Sequence, residues 1–199
     1  MRYSLSKYKF IALFGLLGFA VACERPTPPA SGNAAGAAYN LAAYLQAQAK
    51  RLQAEKPTVI KRAKTEDKAA ETIKTSEVDW EDELAIFQDV DISKPSLREY
   101  YTEEKQPFGN NLTAYTYTKT AEAEAPVQHL TLQTNREQKL QGMEAVLLEE
   151  NMLFYSKRKV TLSTNPATGN ITGYQINGVQ KLVFGDSLHY NVTAIIQEH

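Results

Sequence analysis

The sequence predicts an α+β domain, a curved antiparallel β-sheet meander with two N-terminal helices packed on its concave face. Two amphipathic helical patterns come first, over 40–56 and 79–90. From Leu97 onward, β-branched and aromatic runs alternate with tight-turn residues at short intervals, the signature of consecutive antiparallel strands. The domain is assigned to residues 39–199, preceded by a signal segment over 1–22 and a tether over 23–38.

The chain opens with a basic stretch containing Arg2, Lys7 and Lys9, followed by the thirteen uncharged residues Phe10 to Ala22. That run is too short for a bilayer-spanning helix, which needs roughly 20 residues. A basic start, a short apolar run and small residues at its end make a secretory signal. Cys23, the single cysteine, stands directly after Ala20-Val21-Ala22. Two readings compete there. In one, Ala20 to Cys23 is a lipobox and the Cys23 thiol becomes the acylated N-terminus. In the other, Ala20 and Ala22 are an ordinary peptidase site and the thiol is free. The lipobox is favoured, because a lone cysteine directly at a cut site rarely arises by chance. Acyl chains would then hold the protein to a membrane, each buried methylene adding about 0.8 kcal/mol.

With no second cysteine, the fold must be held by packing alone. Removing Arg2, Lys7 and Lys9 leaves 19 of the 22 cationic residues against 23 acids. A weakly acidic chain without a basic stripe argues against a nucleic-acid partner. Glu24 to Gly36, rich in Pro, Ala and Gly, cannot build a core and reads as a tether.

Asn40 is the expected cap of the first helix, with Tyr39 and Tyr44 as its hydrophobic staple. Leu41, Tyr44, Leu45, Gln48 and Leu52 follow helical spacing, and Pro57 ends the run. Thr58–Lys64 and Lys68–Thr75 are short and charged, which fits a hairpin at a sheet edge. The second helix, Asp79 to Val90, is capped by Asp79 and places Trp80, Leu84 and Phe87 on one face. Glu81, Asp82, Glu83, Asp89 and Asp91 could form an acidic site. Their positions fit a solvated outer face better, and the loop after Asp89 lacks the alternating ligands and central glycine of a calcium site.

Tyr100-Tyr101 precede an expected turn over Gln106–Asn111. Strands are then expected in NLTAYTYTKT, in VQHLTLQT with Leu130 and Leu132 on one face, and in LFYSKRKVTLST with Tyr155 and Val160 to Leu162 inside. Gln141–Glu150 fits helix or strand. Asn165–Asn170 is a turn. Asn177-Gly178 carries the strongest short hairpin signal, so ITGYQI is expected to fold back on VQKLVF. Gly185-Asp186 turns the chain into LHYNVTAIIQ.

The Cys23 signal, the Asn40-Leu41 helix start, Pro57 with Lys61, Asp79-Trp80-x-x-Glu83-Leu84-x-x-Phe87, Asp91-Ile92-x-Lys94-Pro95-Ser96 and Gly178-x-Gln180-Lys181 form a recognisable series. Together they resemble a group of uncharacterised lipoproteins of Bacteroidetes-type bacteria. The resemblance covers most of the chain after Cys23. It implies an outer-membrane lipoprotein and brings no known activity or functional residues. Some lipoproteins of such bacteria carry an acidic surface-export signal after the cysteine. Glu24-Arg25-Pro26 does not match it, so the resemblance implies the periplasmic side.

Candidate chemistry is sparse. His129, His189 and His199 show no metal-ligand spacing. No serine sits in a nucleophile elbow, and the ten glycines form no phosphate loop. Asn111, Asn170 and Asn191 begin N-glycosylation sequons that have no expected use in a bacterial lipoprotein. Asp186-Ser187-Leu188 resembles a short O-glycosylation motif of Bacteroidetes-type bacteria, with Ser187 as acceptor, although a plain turn explains it more simply. The eleven tyrosines admit a carbohydrate-stacking reading, but strand tyrosines more often pack against the sheet. The expectation is therefore a membrane-anchored envelope protein that uses no cofactor, is not an enzyme and acts through an envelope protein partner. The alternative is a lipid or small apolar ligand module with a cavity between sheet and helices.

Overall fold

The computed structural model describes residues 39–197. The signal segment, Cys23, the tether and His199 lie outside the described residues.

Helix α1 spans Leu41–Glu55 and starts as its sequence dictates. The Asn40 side chain accepts a hydrogen bond from the Ala43 amide at 2.9 Å, and the rings of Tyr39 and Tyr44 meet 6.1 Å apart. Lys56 takes a left-handed conformation and donates its amide to the Leu52 carbonyl, closing the last turn before Pro57. Leu41, Leu45, Ala49 and Leu52 are buried along one stripe.

Nine strands follow: β1 Thr58–Thr65, β2 Glu71–Thr75, β3 Tyr101–Phe108, β4 Leu112–Lys119, β5 Val127–Asn135, β6 Leu140–Glu150, β7 Phe154–Thr164, β8 Ile171–Leu182 and β9 Ser187–Gln197. They form one antiparallel sheet in the order β2-β1-β9-β8-β7-β6-β5-β4-β3. From β3 to β9 the chain is an uninterrupted meander. The N-terminal β1–β2 hairpin joins the far side of the last strand, where Thr58 to Thr65 run opposite Gln197 to Tyr190. The edge strands β2 and β3 are almost wholly exposed and carry Glu71, Lys74, Glu103, Glu104 and Lys105, charges that discourage edge-to-edge pairing.

The cross-strand register sorts the side chains into two faces. Lys61, Ala194, Tyr174, Leu162, Met143, Leu132 and Tyr115 share one face by direct pairing, and Val59 pairs with Ile196 on the same face. That face enters the same apolar cluster as α1 and as Trp80, Leu84, Phe87, Val90 and Ile92. Polar contacts fix the helix there. The Tyr44 hydroxyl donates to the Gly169 carbonyl at 2.8 Å, and buried Gln48 accepts from the Ile171 amide and from Arg51. The opposite face holds Lys64, Asn191, Asn177, Lys159, Val146 and His129 in one row.

Several expectations are corrected. The second helix is not continuous: single turns α2 (Trp80–Glu83) and α3 (Ala85–Gln88) meet at Leu84, whose φ of −93° and ψ of 1° leave the helical region. A segment this short has little helical stability of its own, so burial of Trp80, Leu84, Phe87 and Val90 decides its path. A third single turn, α4, covers Pro95–Arg98. The turn expected from Gln106 starts later, at Gly109, because β3 is an edge strand where Pro107 costs no ladder bond. Of the two readings open for Gln141–Glu150, the segment adopts strand, with Leu140, Met143, Ala145 and Leu147 buried. Tyr155 lies on the opposite face from Val160 and Leu162 and is half-buried.

The largest correction concerns Asn177-Gly178, which lies in the middle of β8 and makes no turn. Folding back there would give up the ladders to both β7 and β9, where Asn177 pairs with Lys159 and Asn191, and Gly178 with Arg158 and Tyr190. Gly178 instead makes room for the Tyr190 ring, which occupies the space a Cβ would need.

Candidate functional site

The open face of the sheet carries a groove of about 470 Å³ across β1, β9, β8 and β7. Register explains its shape. Lys64, Asn191, Asn177 and Lys159 stand directly opposite one another on four successive strands. The next row holds His189, Val179 and Lys157. Short side chains on the two central strands make the floor, and long lysines on the outer two make the walls. Neighbouring strands are about 4.8 Å apart, so the Lys64 and Lys159 backbones stand about 14 Å apart.

The floor is organised by one short hydrogen bond, Asn191 Nδ2 to Asn177 Oδ1 at 2.6 Å. This pair leaves the Asn177 amide hydrogens and the Asn191 carbonyl for a visitor. At the wall on β7, Lys159 meets Glu144 at 2.8 Å, and on β9 His189 lies 4.0 Å from Glu66. Beneath the floor the Tyr190 phenol is pushed above its ordinary pKa by burial, an effect Arg158 partly opposes. Ammonium groups around paired carboxamides suit recognition of carboxylates and carbonyls. Its described lining contains neither serine nor cysteine.

A second polar cluster was hidden in the supposed acidic surface. Glu83 faces the sheet, where it pairs with Lys61 at 2.5 Å and accepts a hydrogen bond from the Tyr174 hydroxyl. The signal for this was present: Glu83 lies three residues after Trp80 and four before Phe87, on the apolar stripe itself. Glu81, Asp82 and Asp89 are exposed, and Asp91 bonds the backbone and hydroxyl of Ser93. Asp79 caps α2 as expected, accepting from the amides of Glu81 and Asp82.

The remaining candidates are not brought together. His129 is on β5, bonded to Thr118 and Thr131, while His189 is on β9. Four strand spacings separate them, about 19 Å. Among the described residues, no cluster of three or more His, Cys, Asp or Glu could hold a metal ion. Ser187 is exposed at the first position of β9, opposite Lys181. Tyr117 and Tyr174 are buried, and Tyr101, Tyr115 and Tyr190 are half-buried on the helix-bearing face. Side chains of sheet and helices meet in one apolar cluster, with Leu45, Leu52, Leu84, Phe87 and Leu140 fully buried.

Among the described residues no helix is long and apolar enough to cross a membrane. Compared with known proteins, the chain matches no family model, no curated protein and no solved structure.

Proposed function

We propose that this chain is an exported lipoprotein, acylated at Cys23 and held on the periplasmic face of an outer membrane, that works by protein contact and not by catalysis. Its domain is an α+β unit whose helices close one sheet face and leave the other for a partner. One observation carries the reading: the open face bears the lysine-walled groove around Asn177 and Asn191. The partner it fits is an envelope protein offering an acidic, carbonyl-rich segment. The packed interface between sheet and helices favours this over a ligand cavity at that place. Ser187 is the proposed glycan acceptor, exposed as a modified serine must be.

The test combines two measurements on membranes of the native host. Intact mass of the purified protein should show a chain beginning at acylated Cys23. A photo-crosslinking residue placed at Gln175, exposed on the open face, should give a discrete adduct that the same residue at exposed Lys50 on α1 does not. Identical adducts from both positions sink the contact reading. A soluble chain with a free thiol sinks the anchor. Peptide mass over Ser187 decides the glycan.

A further inference from the structure

Six exposed apolar side chains gather at one end of the sheet. Four come from two adjacent connections, Asn151 to Leu153 between β6 and β7 and Val183 to Asp186 between β8 and β9, and two from the flanking ends of β8 and β9. Met152 is 92% exposed and Phe184 97%, with Leu153, Leu182, Val183 and Leu188 also exposed. Single exposed apolar residues are ordinary, whereas a cluster of large ones marks a contact surface.

These loops are well formed. Asn151 Oδ1 accepts from the amides of Leu153 and Phe154 at 2.9 and 3.0 Å. Gly185 closes the other turn on the Leu182 carbonyl, and the Val183 amide bonds the Leu153 carbonyl across the two loops at 3.1 Å. These bonds give both turns a defined shape, from which the apolar side chains point outward. At 92% and 97% exposure Met152 and Phe184 are almost free of protein contact and project from this tip.

We infer that this tip inserts into the interfacial layer of a lipid bilayer as a second membrane contact, distinct from the acyl anchor. Three observations select a bilayer as occupant. Apolar side chains that project almost free of protein contact, as Met152 and Phe184 do, fit a fluid, deformable surface. Behind it stand Tyr155, Lys157 and Lys181, residue types that suit the headgroup layer. Glu150 and Asp186 lie at the same level, so charge is balanced and apolar burial supplies the affinity.

The third observation is reach. Tyr39 lies beside the backbone of Leu140, at the end of β6 opposite Met152. The eleven residues of β6 span about 36 Å. Residues 23–38 have a contour of about 53–58 Å, so Cys23 and the tip can meet one bilayer plane. The inference rests on the lipoprotein reading only for which membrane is at hand.

The test is flotation with vesicles of phosphatidylethanolamine and phosphatidylglycerol, using the chain from residue 23 carrying Cys23→Ser, so that no acyl chain contributes. This protein is expected to float with the vesicles. Adding Met152→Ser and Phe184→Ser should lower the bound fraction at least fivefold with circular dichroism unchanged, since neither side chain is packed. Ile73→Ser, an exposed apolar residue on β2, should leave binding intact. Failure of the Cys23→Ser protein to float overturns the inference. So does equal flotation of the tip variant, or a concentration-dependent dimer lost in the tip variant without vesicle binding. Acylation of Cys23, read separately by mass, fails or holds independently of all these outcomes.

Discussion

Two glycines in β8 separate a backbone constraint from a side-chain constraint. A Cβ on Gly173 would lie 2.5 Å from the Ala194 carbonyl oxygen, and 3.6 Å from the Ala194 carbonyl carbon and the Ile195 Cα. Ordinary contact begins near 3.4 Å, so the β9 backbone would have to retreat by about 0.9 Å. It has nowhere to go, because Ala194 is buried and its other neighbour across the ladder is Lys61 of β1. Gly173→Ala should therefore cost about 2–3 kcal/mol, as overpacking in a core does. In a domain of this size that lowers Tm by about 5–10 °C.

Gly178→Ala meets a different obstacle, the ring of Tyr190. That side chain is half-exposed at the end of a rotatable stem and can turn toward solvent. The loss of the ring's contact is partly offset by alanine's smaller conformational-entropy cost in a strand, about 0.5–1 kcal/mol. The expected net change is within about 1 kcal/mol of zero. The assay is urea unfolding of both variants followed by circular dichroism, compared at equal m. If Gly178→Ala proves as costly as Gly173→Ala, the distinction between yielding and unyielding neighbours is wrong.

The Thr134 hydroxyl is buried without a hydrogen-bond partner, so Thr134→Val should stabilise the domain by about 1 kcal/mol; a loss in urea unfolding would reveal a missed partner. Glu83→Ala should cost about 1–3 kcal/mol by leaving the buried Tyr174 hydroxyl unpaired, and Glu83→Gln less, with the difference vanishing in a Tyr174→Phe background. Burial pushes Tyr39 and Tyr117 up to about 12, and Tyr44 higher still. Their folded values lie above the unfolded value near 10, so the stability they contribute is complete below pH 10 and is lost as pH rises through 12. Tyrosinate absorbance should rise in two stages, the later one coinciding with unfolding; a single rise near pH 10 with native circular dichroism would refute this.

Local signals in the sequence were followed wherever one neighbour decides the outcome. Asn40, Pro57 and Asp79 act within a few residues, and each caps or ends its element as its chemistry requires. Signals failed where a second neighbour competes. Asn177-Gly178 has ideal turn chemistry, but a residue pair between two long strands is worth more in both ladders than in one turn. Edge strand β3 was illegible for the opposite reason. With only one neighbour and almost every side chain exposed, it shows no alternation to read. The groove was invisible because it is assembled from β1, β7, β8 and β9, which are spread over more than a hundred residues and aligned only by register.

That same register gives the open face its discriminating power. A one-residue slip of β9 against β8 would turn Asn191 inward and bring Tyr190 or Val192 onto the groove floor. The slip is opposed on the other face by burial of Ala194 and Ile196 against Tyr174 and Val59. The apolar core thus fixes the polar floor, although the two share no side chain. Gly178 lies where both faces share one backbone: its missing side chain admits the Tyr190 ring on the helix-bearing side, while its backbone lines the groove on the other. Gly178→Ala therefore acts on the helix-bearing side and leaves Asn177, Asn191 and Lys159 in their row, so recognition by the open face should survive it; a lost adduct at Gln175 in this variant would show that the two faces are coupled.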